Sequence, residues 1–173
     1  MKYKFPLFGL IGILLFSCKP NQSLQTIDRK VDLTRYAGKW YEIAKLPNSF
    51  QKNCDCATAQ YSLKDNGQIE VLNTCIKPDG SIKKDITGKA KSVSDSNDKL
   101  KVSFFPLIWG DYQILDLDEN YQTVLVGEPG RKYLWILART ENISNTEYNR
   151  LISKAKSLGF PTENVVKSKR DCQ

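Results

Sequence analysis

The sequence contains no histidine among its 173 residues, and it has a single methionine. Histidine is the commonest general base and the commonest ligand of transition metals in proteins. Its absence excludes Ser–His and Cys–His catalysis, His-ligated zinc and haem held by histidine. The closely spaced Cys54 and Cys56 have neither a second cysteine pair nor a histidine to complete a zinc site. We therefore predict no metal, no cofactor and no catalytic residue.

Length, composition and charge are those of one ordinary globular domain. The chain is 40% hydrophobic and 26% charged, and its net charge is +7 from 26 Lys and Arg against 19 Asp and Glu. The lysines are dispersed along the sequence, so we do not expect nucleic acid as a partner. The positive charge instead favours attraction to anionic lipid headgroups.

The longest apolar run lies near the N-terminus, after two lysines and no acidic residue, which is the pattern of a secretory signal over residues 1–17. The run is shorter than the roughly 20 residues of a membrane-spanning helix. An uncleaved anchor helix is the alternative. The run ends in Leu15-Phe16-Ser17-Cys18, which resembles the lipobox of bacterial lipoproteins. That resemblance implies lipidation of Cys18, and the following Lys19 implies sorting to the outer membrane.

The chain after the signal divides into a short polar segment and one domain. Residues 18–30 lack periodicity, so we predict a lipidated N-terminus and a tether, followed by a domain over residues 31–173. Export would place the other four cysteines in an oxidising compartment. These cysteines, which allow three pairings, are Cys54, Cys56, Cys75 and Cys172.

Eight short β-rich runs, separated by turn residues, fill most of the domain. They cover residues 40–46, 56–63, 68–76, 81–93, 99–105, 111–117, 121–128 and 133–139. Consecutive strands with tight turns and no intervening helix predict antiparallel up-and-down pairing. Eight such strands predict a closed barrel, because closure removes the exposed edges of a sheet. The predicted fold class is therefore all-β.

One amphipathic helix follows the predicted strands. Ser144 and Glu147 have the spacing of a capping box, and Gly159 ends the helix. The apolar positions recur at helical spacing and are Tyr148, Leu151, Ile152 and Ala155. Since only one face is apolar, we expect the helix to pack against the outside of the barrel. Residues 164–168 are predicted to add a short last strand.

Three short motifs resemble the signatures of the lipocalin family. They are Gly38-Lys39-Trp40-Tyr41, Gly110-Asp111-Tyr112 and Leu137-Ala138-Arg139-Thr140. The resemblance covers about residues 31–172 and is greatest to bacterial outer-membrane lipoproteins and to apolipoprotein D. It implies an eight-stranded antiparallel lipocalin barrel with one C-terminal helix packed outside. It also implies that the barrel is closed by Gly38, Trp40, Asp111, Tyr112 and Arg139, with the Arg139 guanidinium over the Trp40 indole.

The same resemblance implies that the barrel binds a small hydrophobic ligand, a fatty acid or a lysophospholipid. Small side chains at Ala57 and Ala59 leave space in a barrel interior. The predicted ligand-binding residues are Ala57, Ala59, Tyr61, Asn73, Phe104, Tyr112 and Trp135. The alternative for each aromatic residue is ordinary core packing, and a filled barrel would make the protein purely structural.

The cysteines can be paired from the resemblance. In related lipocalins, a cysteine five residues before the tyrosine of the second strand ties down the C-terminal tail. Cys56 has that spacing to Tyr61, which implies a Cys56–Cys172 disulfide and leaves Cys54 with Cys75. A free Cys75 facing the cavity would instead allow the alternative function, a lipocalin-fold enzyme acting on a lipid or isoprenoid.

Residues 105–109 form an apolar segment that we place at the barrel mouth, where it would guard ligand entry or touch the membrane. Burial under the helix is the alternative. Taken together, these features predict a monomeric or weakly dimeric protein of the bacterial cell envelope, tethered to the outer membrane by its lipid anchor.

Overall fold

The computed structural model describes residues 24–77, 79 and 81–169, and the dominant feature is a sheet that closes on itself. Its strands are β1 (Gly38–Lys45), β2 (Cys56–Leu63), β3 (Ile69–Ile76), β4 (Ile82–Ser92), β5 (Lys99–Phe105), β6 (Ile108–Leu117), β7 (Thr123–Gly127) and β8 (Leu134–Ala138). Each strand pairs antiparallel with the next, and β1 pairs with both β8 and β2. A short ninth strand, β9 (Val166–Lys167), extends the sheet beside β1. The predicted eight-stranded barrel is confirmed.

One strand begins three residues earlier than the sequence pattern indicated, at Ile108 instead of Asp111. The cause is the tight turn formed by Pro106 and Leu107, which lets the β5–β6 pairing continue to its tip, where Phe105 faces Ile108. The apolar segment is therefore a hairpin, and it is exposed to solvent rather than buried under the helix.

Two apolar clusters hold the molecule together, one inside the barrel and one between the barrel wall and a helix. The helix, α2 (Asn145–Ser157), is capped by the Ser144 hydroxyl, which accepts a hydrogen bond from the Glu147 backbone N–H. The Glu147 carboxylate binds Thr123 and Arg150, so it does not complete the predicted capping box. Among the described residues, no helix is both long enough and apolar enough to cross a membrane.

The two ends of the barrel differ. At one end, the short helix α1 (Leu33–Tyr36) and the buried Val31 cover the interior, so we call it the closed end. Four connections lie at the opposite end, which we call the mouth: residues 46–55, 77–81, 106–107 and 128–133. Cys18 lies outside the described residues.

The segment before α1 packs against the barrel, unlike the predicted tether. Leu24 is buried in the cluster beneath α2, and the Ile27 backbone N–H donates to the Ile114 carbonyl oxygen at 3.2 Å. The Arg29 guanidinium donates to the carbonyl oxygen of Leu117 at 2.8 Å. Burial of the Leu24 side chain, partial burial of Ile27 and these hydrogen bonds fix residues 24–30 on the domain. Any tether is therefore shorter than the predicted residues 18–30.

A disulfide joins Cys54, in the loop between β1 and β2, to Cys75 near the end of β3. Cys172 lies outside the described residues, so the Cys56–Cys172 pair stays a prediction. Cys56 is well placed for this bond, because its sulfur lies 3.0 Å from the carbonyl oxygen of Lys169, three residues before Cys172.

Replacing Cys54 and Cys75 together with serine is expected to lower the free energy of unfolding by roughly 3 kcal/mol, because the bond closes a loop of 21 residues in the unfolded chain. Urea unfolding of the double variant and the parent chain measures this difference. An unchanged unfolding midpoint in the double variant would contradict the expectation.

Candidate ligand-binding site

Strand register defines which side chains face the barrel interior. Ala59 lies opposite Trp40 on β1 and opposite Asn73 on β3. Paired residues of antiparallel strands point to the same side of a sheet, and Trp40 belongs to the interior cluster. Alternation along β2 then turns Ala57 and Tyr61 inward as well. Four of the predicted ligand-binding residues thus share the interior face.

The closed end is built around Arg139, whose guanidinium carbon lies 3.8 Å from the centre of the Trp40 ring. The guanidinium also donates hydrogen bonds to the backbone carbonyl oxygens of Arg35, Tyr36, Ala37, Lys39 and Tyr121. Gly38 has a φ of +98°, and a Cβ at this position would lie 3.2 Å from an Arg139 nitrogen. The single cation therefore ties together three segments of chain: residues 35–40, the connection between β6 and β7, and its own segment after β8.

Asp111 does not close the barrel, in contrast to the expectation from the family signature. It is exposed on the outer face and forms an ion pair with Lys101 on β5 at 2.8 Å. Because neighbouring residues of a strand face opposite sides, the inward position of Tyr112 turns Asp111 outward.

Three tyrosine hydroxyls meet in the interior above the closed end. The Tyr112 oxygen lies 2.6 Å from the Tyr36 oxygen and 3.0 Å from the Tyr61 oxygen. Burial raises the pKa of Tyr61 to about 12, and it raises the pKa of both Tyr36 and Tyr112 well above the ordinary value. All three groups stay protonated at neutral pH, so this end of the interior offers uncharged hydrogen-bonding groups.

The opposite end of the interior is marked by Trp135 on β8. Its indole N–H donates to the Gln51 amide oxygen at 3.0 Å, and its ring stacks on Tyr133 with centroids 6.0 Å apart. Phe50 lies against both rings. Phe50 and Gln51 belong to the 3₁₀ turn Ser49–Gln51, so the loop between β1 and β2 contacts Trp135 at the mouth.

A buried polar network near the mouth was not predicted. Lys45 donates to one Glu42 carboxylate oxygen at 2.7 Å, Ser168 donates to the same oxygen at 2.7 Å, and Gln51 donates to the other at 2.6 Å. Glu42 could have been placed on the interior face from its two-residue spacing to Trp40. Lys45 could not, because an irregularity after Glu42 reverses the alternation of β1.

Several interior-facing side chains keep solvent-accessible surface. Ala57 and Ala59 are each 9% exposed, and four larger residues are only partly buried: Asn73, Phe104, Tyr112 and Trp135. Phe104 lies over Gly88, where a Cβ would approach a ring carbon to 2.5 Å. Close-packed core positions such as Trp40 are fully buried by comparison. The small and partly accessible residues are therefore the interior positions that are least closely packed.

Tyr61 and Trp135, which lie towards opposite ends of the interior, are far apart. Tyr61 lies opposite Gly38, and Trp135 lies opposite Lys45, seven residues further along β1. At about 3.3 Å per residue, this separation is roughly 23 Å of strand. One molecule that contacted both residues would have to be long and narrow.

The predicted Cys54–Cys75 disulfide is confirmed, so Cys75 is not the free thiol that the enzyme alternative requires. Trp109 does not face the interior. It lies on the outer face, where the ammonium groups of Lys89 and Lys91 are 5.6 and 4.9 Å from its ring centre. Within the described part of the chain, no group of three or more acidic, cysteine or histidine side chains could hold a metal ion.

A closed eight-stranded barrel with one covered end is an architecture that can hold one small molecule in its interior. The chain belongs to the lipocalin family: residues 31–170 match the model of the lipocalin-like domain. Family membership implies the binding of small hydrophobic ligands.

Relatives and structures agree with this assignment. Outer membrane lipoprotein Blc of Citrobacter freundii is 39% identical over 142 residues, covering 82% of this chain and 80% of that protein. Apolipoprotein D of Mus musculus is 46% identical over 101 residues, covering 57% of this chain and 52% of that protein. Insecticyanin from Manduca sexta superposes with a TM-score of 0.65 at 20% identity, covering 86% of this chain and 89% of that one.

Proposed function

We propose that this protein is a membrane-tethered lipocalin of the bacterial envelope that binds, stores or transports a fatty acid or lysophospholipid in its barrel, as a monomer or weak dimer. The observation that carries the proposal is the interior wall, where the small residues Ala57 and Ala59 lie between the closed end and Trp135. The bacterial relatives are named as outer membrane lipoproteins, which supports a place in the envelope. A carrier requires no catalytic group.

The shape and polarity of the interior favour a long apolar ligand with one polar end. The acyl chain would lie along Ala57 and Ala59 between Tyr61 and Trp135. Asn73 supplies an amide beside Ala59, and the Gln51 amide lies next to the indole at the mouth. The polar end of the ligand would therefore bind near Asn73 or extend towards the mouth.

Titration with oleate is expected to change the tryptophan emission of the protein, because the ligand would displace water from Trp135 at the mouth. The Trp135→Phe variant should lose most of this signal. Trp109→Phe is the matched control and should retain it, since Trp109 lies on the outer face. An emission change of equal size in the parent and in Trp135→Phe would argue against an interior ligand, and no binding at all would favour the filled barrel.

Lipidation of Cys18 is a second expectation, based on the sequence that ends in Ser17 and Cys18. Cys18→Ser should abolish both the incorporation of labelled fatty acid and processing at this position, because the acylated sulfur is removed. Ser17→Ala keeps a small residue before the cysteine and should behave as the parent. A Cys18→Ser protein that is still cleaved, acyl-labelled and recovered with membranes would show that the anchor lies elsewhere.

A further inference from the structure

The most exposed apolar side chains of the described residues all lie at the mouth. Leu107 is 96% exposed and Ile108 is 66% exposed, and the next three are Phe50, Ile82 and Phe105. These five side chains come from three parts of the chain: the β1–β2 loop, the start of β4 and the β5–β6 hairpin. Single exposed apolar residues are ordinary on a protein surface, but a concentration at one end marks a contact surface.

Leu107, at the tip of the β5–β6 hairpin, has a strained backbone conformation. Leu107 has a φ of +66°, in the left-handed region that glycine and asparagine adopt far more readily than leucine. The side chain gains no burial within the described chain, since it is almost fully exposed. A residue that is both strained and exposed indicates a role outside the fold itself.

Basic residues outnumber acidic residues at the mouth. The mouth connections and the first four residues of β4 carry six basic residues, Lys52, Lys77, Lys83, Lys84, Arg131 and Lys132, against the four acids Asp55, Asp79, Asp85 and Glu128. Three of the acids are engaged locally: Asp55 pairs with Lys169, Asp79 accepts from Ser81, and Glu128 accepts backbone N–H groups of its own turn. Two of the basic residues, Lys83 and Arg131, donate to uncharged backbone carbonyl oxygens, so their charges are not neutralised by these contacts. The mouth therefore presents net positive charge around apolar side chains.

We propose that the mouth docks on an anionic phospholipid surface, with the Phe105–Ile108 tip inserted at the headgroup boundary and the lysines on lipid phosphates. Separate apolar tips with basic neighbours suit a membrane interface, whereas a peptide partner would need a groove. A second copy of this chain is disfavoured, because its own basic residues would meet those of the first.

The contact does not depend on an anchor at Cys18 or on the bound ligand, but it extends the proposed function. A barrel docked by its mouth would exchange an apolar ligand with the bilayer without exposing it to water. A failure of membrane docking can therefore be distinguished from a failure of ligand binding. Oleate binding in solution, measured as above, tests only the ligand site.

Quenching of Trp109 by brominated phospholipids tests the docking, since Trp109 directly follows Ile108. The full chain carrying Trp135→Phe retains only Trp109 and the buried Trp40. On vesicles of phosphatidylcholine and phosphatidylglycerol with brominated acyl chains, we expect strong quenching. We expect most of that quenching to be lost on phosphatidylcholine alone, where the anionic headgroups are absent.

Adding Leu107→Asn should remove most of the quenching on the anionic vesicles, without lowering the melting temperature, because asparagine accepts the positive φ. Leu63→Asn changes another exposed leucine, at the closed end, and should leave quenching unchanged. Quenching that is absent in the parent, or unaffected by Leu107→Asn, would overturn the proposal. A lipid-free dimer in sedimentation velocity that disappears with Leu107→Asn, together with unquenched Trp109, would assign the surface to a second copy instead.

Discussion

Ala59→Phe is expected to abolish oleate binding while the barrel still folds. Ala59 lies on the interior face between Trp40 and Asn73, so a phenyl ring at this position would fill the space that the acyl chain needs. Overpacking should lower the free energy of unfolding by only about 1–3 kcal/mol. Fluorescence titration measures the binding, and circular dichroism during urea unfolding measures the stability. Ala57→Phe should act in the same direction, because Ala57 shares the face.

Gln60→Phe is the matched control, since it introduces the same side chain on the same strand but on the outer face. Its oleate affinity should equal that of the parent. If Ala59→Phe folds normally and binds oleate with unchanged affinity, the ligand does not lie in the barrel. The exposed hairpin from Phe105 to Ile108 would then become the better binding site.

Arg139→Ala is expected to lower the free energy of unfolding by roughly 3–4 kcal/mol, since it removes a cation–π contact and several charged hydrogen bonds at once. Arg139 donates to carbonyl oxygens of both α1 and the start of β1, and its guanidinium covers the fully buried Trp40. Without it, these carbonyl groups lose their partner at the closed end. Urea unfolding followed by circular dichroism measures the loss.

Two further variants, Arg139→Lys and Arg150→Ala, distinguish the role of Arg139 in closing the barrel from the mere loss of a positive charge. Arg139→Lys keeps the charge but not the planar set of donors, so an intermediate loss of stability is expected. Arg150→Ala removes an arginine that pairs with Asp116 and Glu147 on the surface, and it should cost about 1 kcal/mol or less. An Arg139→Ala variant no less stable than Arg150→Ala would refute the closing role.

The barrel could be predicted because its signals are local. Alternating residues such as Ala57, Ala59 and Tyr61 indicate strands directly, and Ser144 and Gly159 mark the ends of α2. The wrong expectation for Asp111 came from carrying a family motif over without its strand phase. Asp111 follows the family signature, but simple alternation already turns it away from Tyr112.

The features that could not be predicted depend on contacts between distant parts of the chain. Lys45 faces inward only because β1 is irregular after Glu42, and that irregularity arises from pairing with β8. Leu24 looks like an isolated apolar residue in a polar segment, yet it is buried beneath α2. The exposure of Leu107 required the register of the hairpin. No short-range sequence pattern predicts where these three side chains lie.

Mass spectrometry of organic extracts from the purified protein tests the central claim most directly. We predict that the parent chain and Gln60→Phe yield non-covalently bound fatty acid or lysophospholipid in an amount close to that of the protein. Ala59→Phe, purified in the same way, should yield little or none. Extracts of the parent without lipid, or equal amounts of the same lipid from Ala59→Phe, would contradict a ligand held inside the barrel.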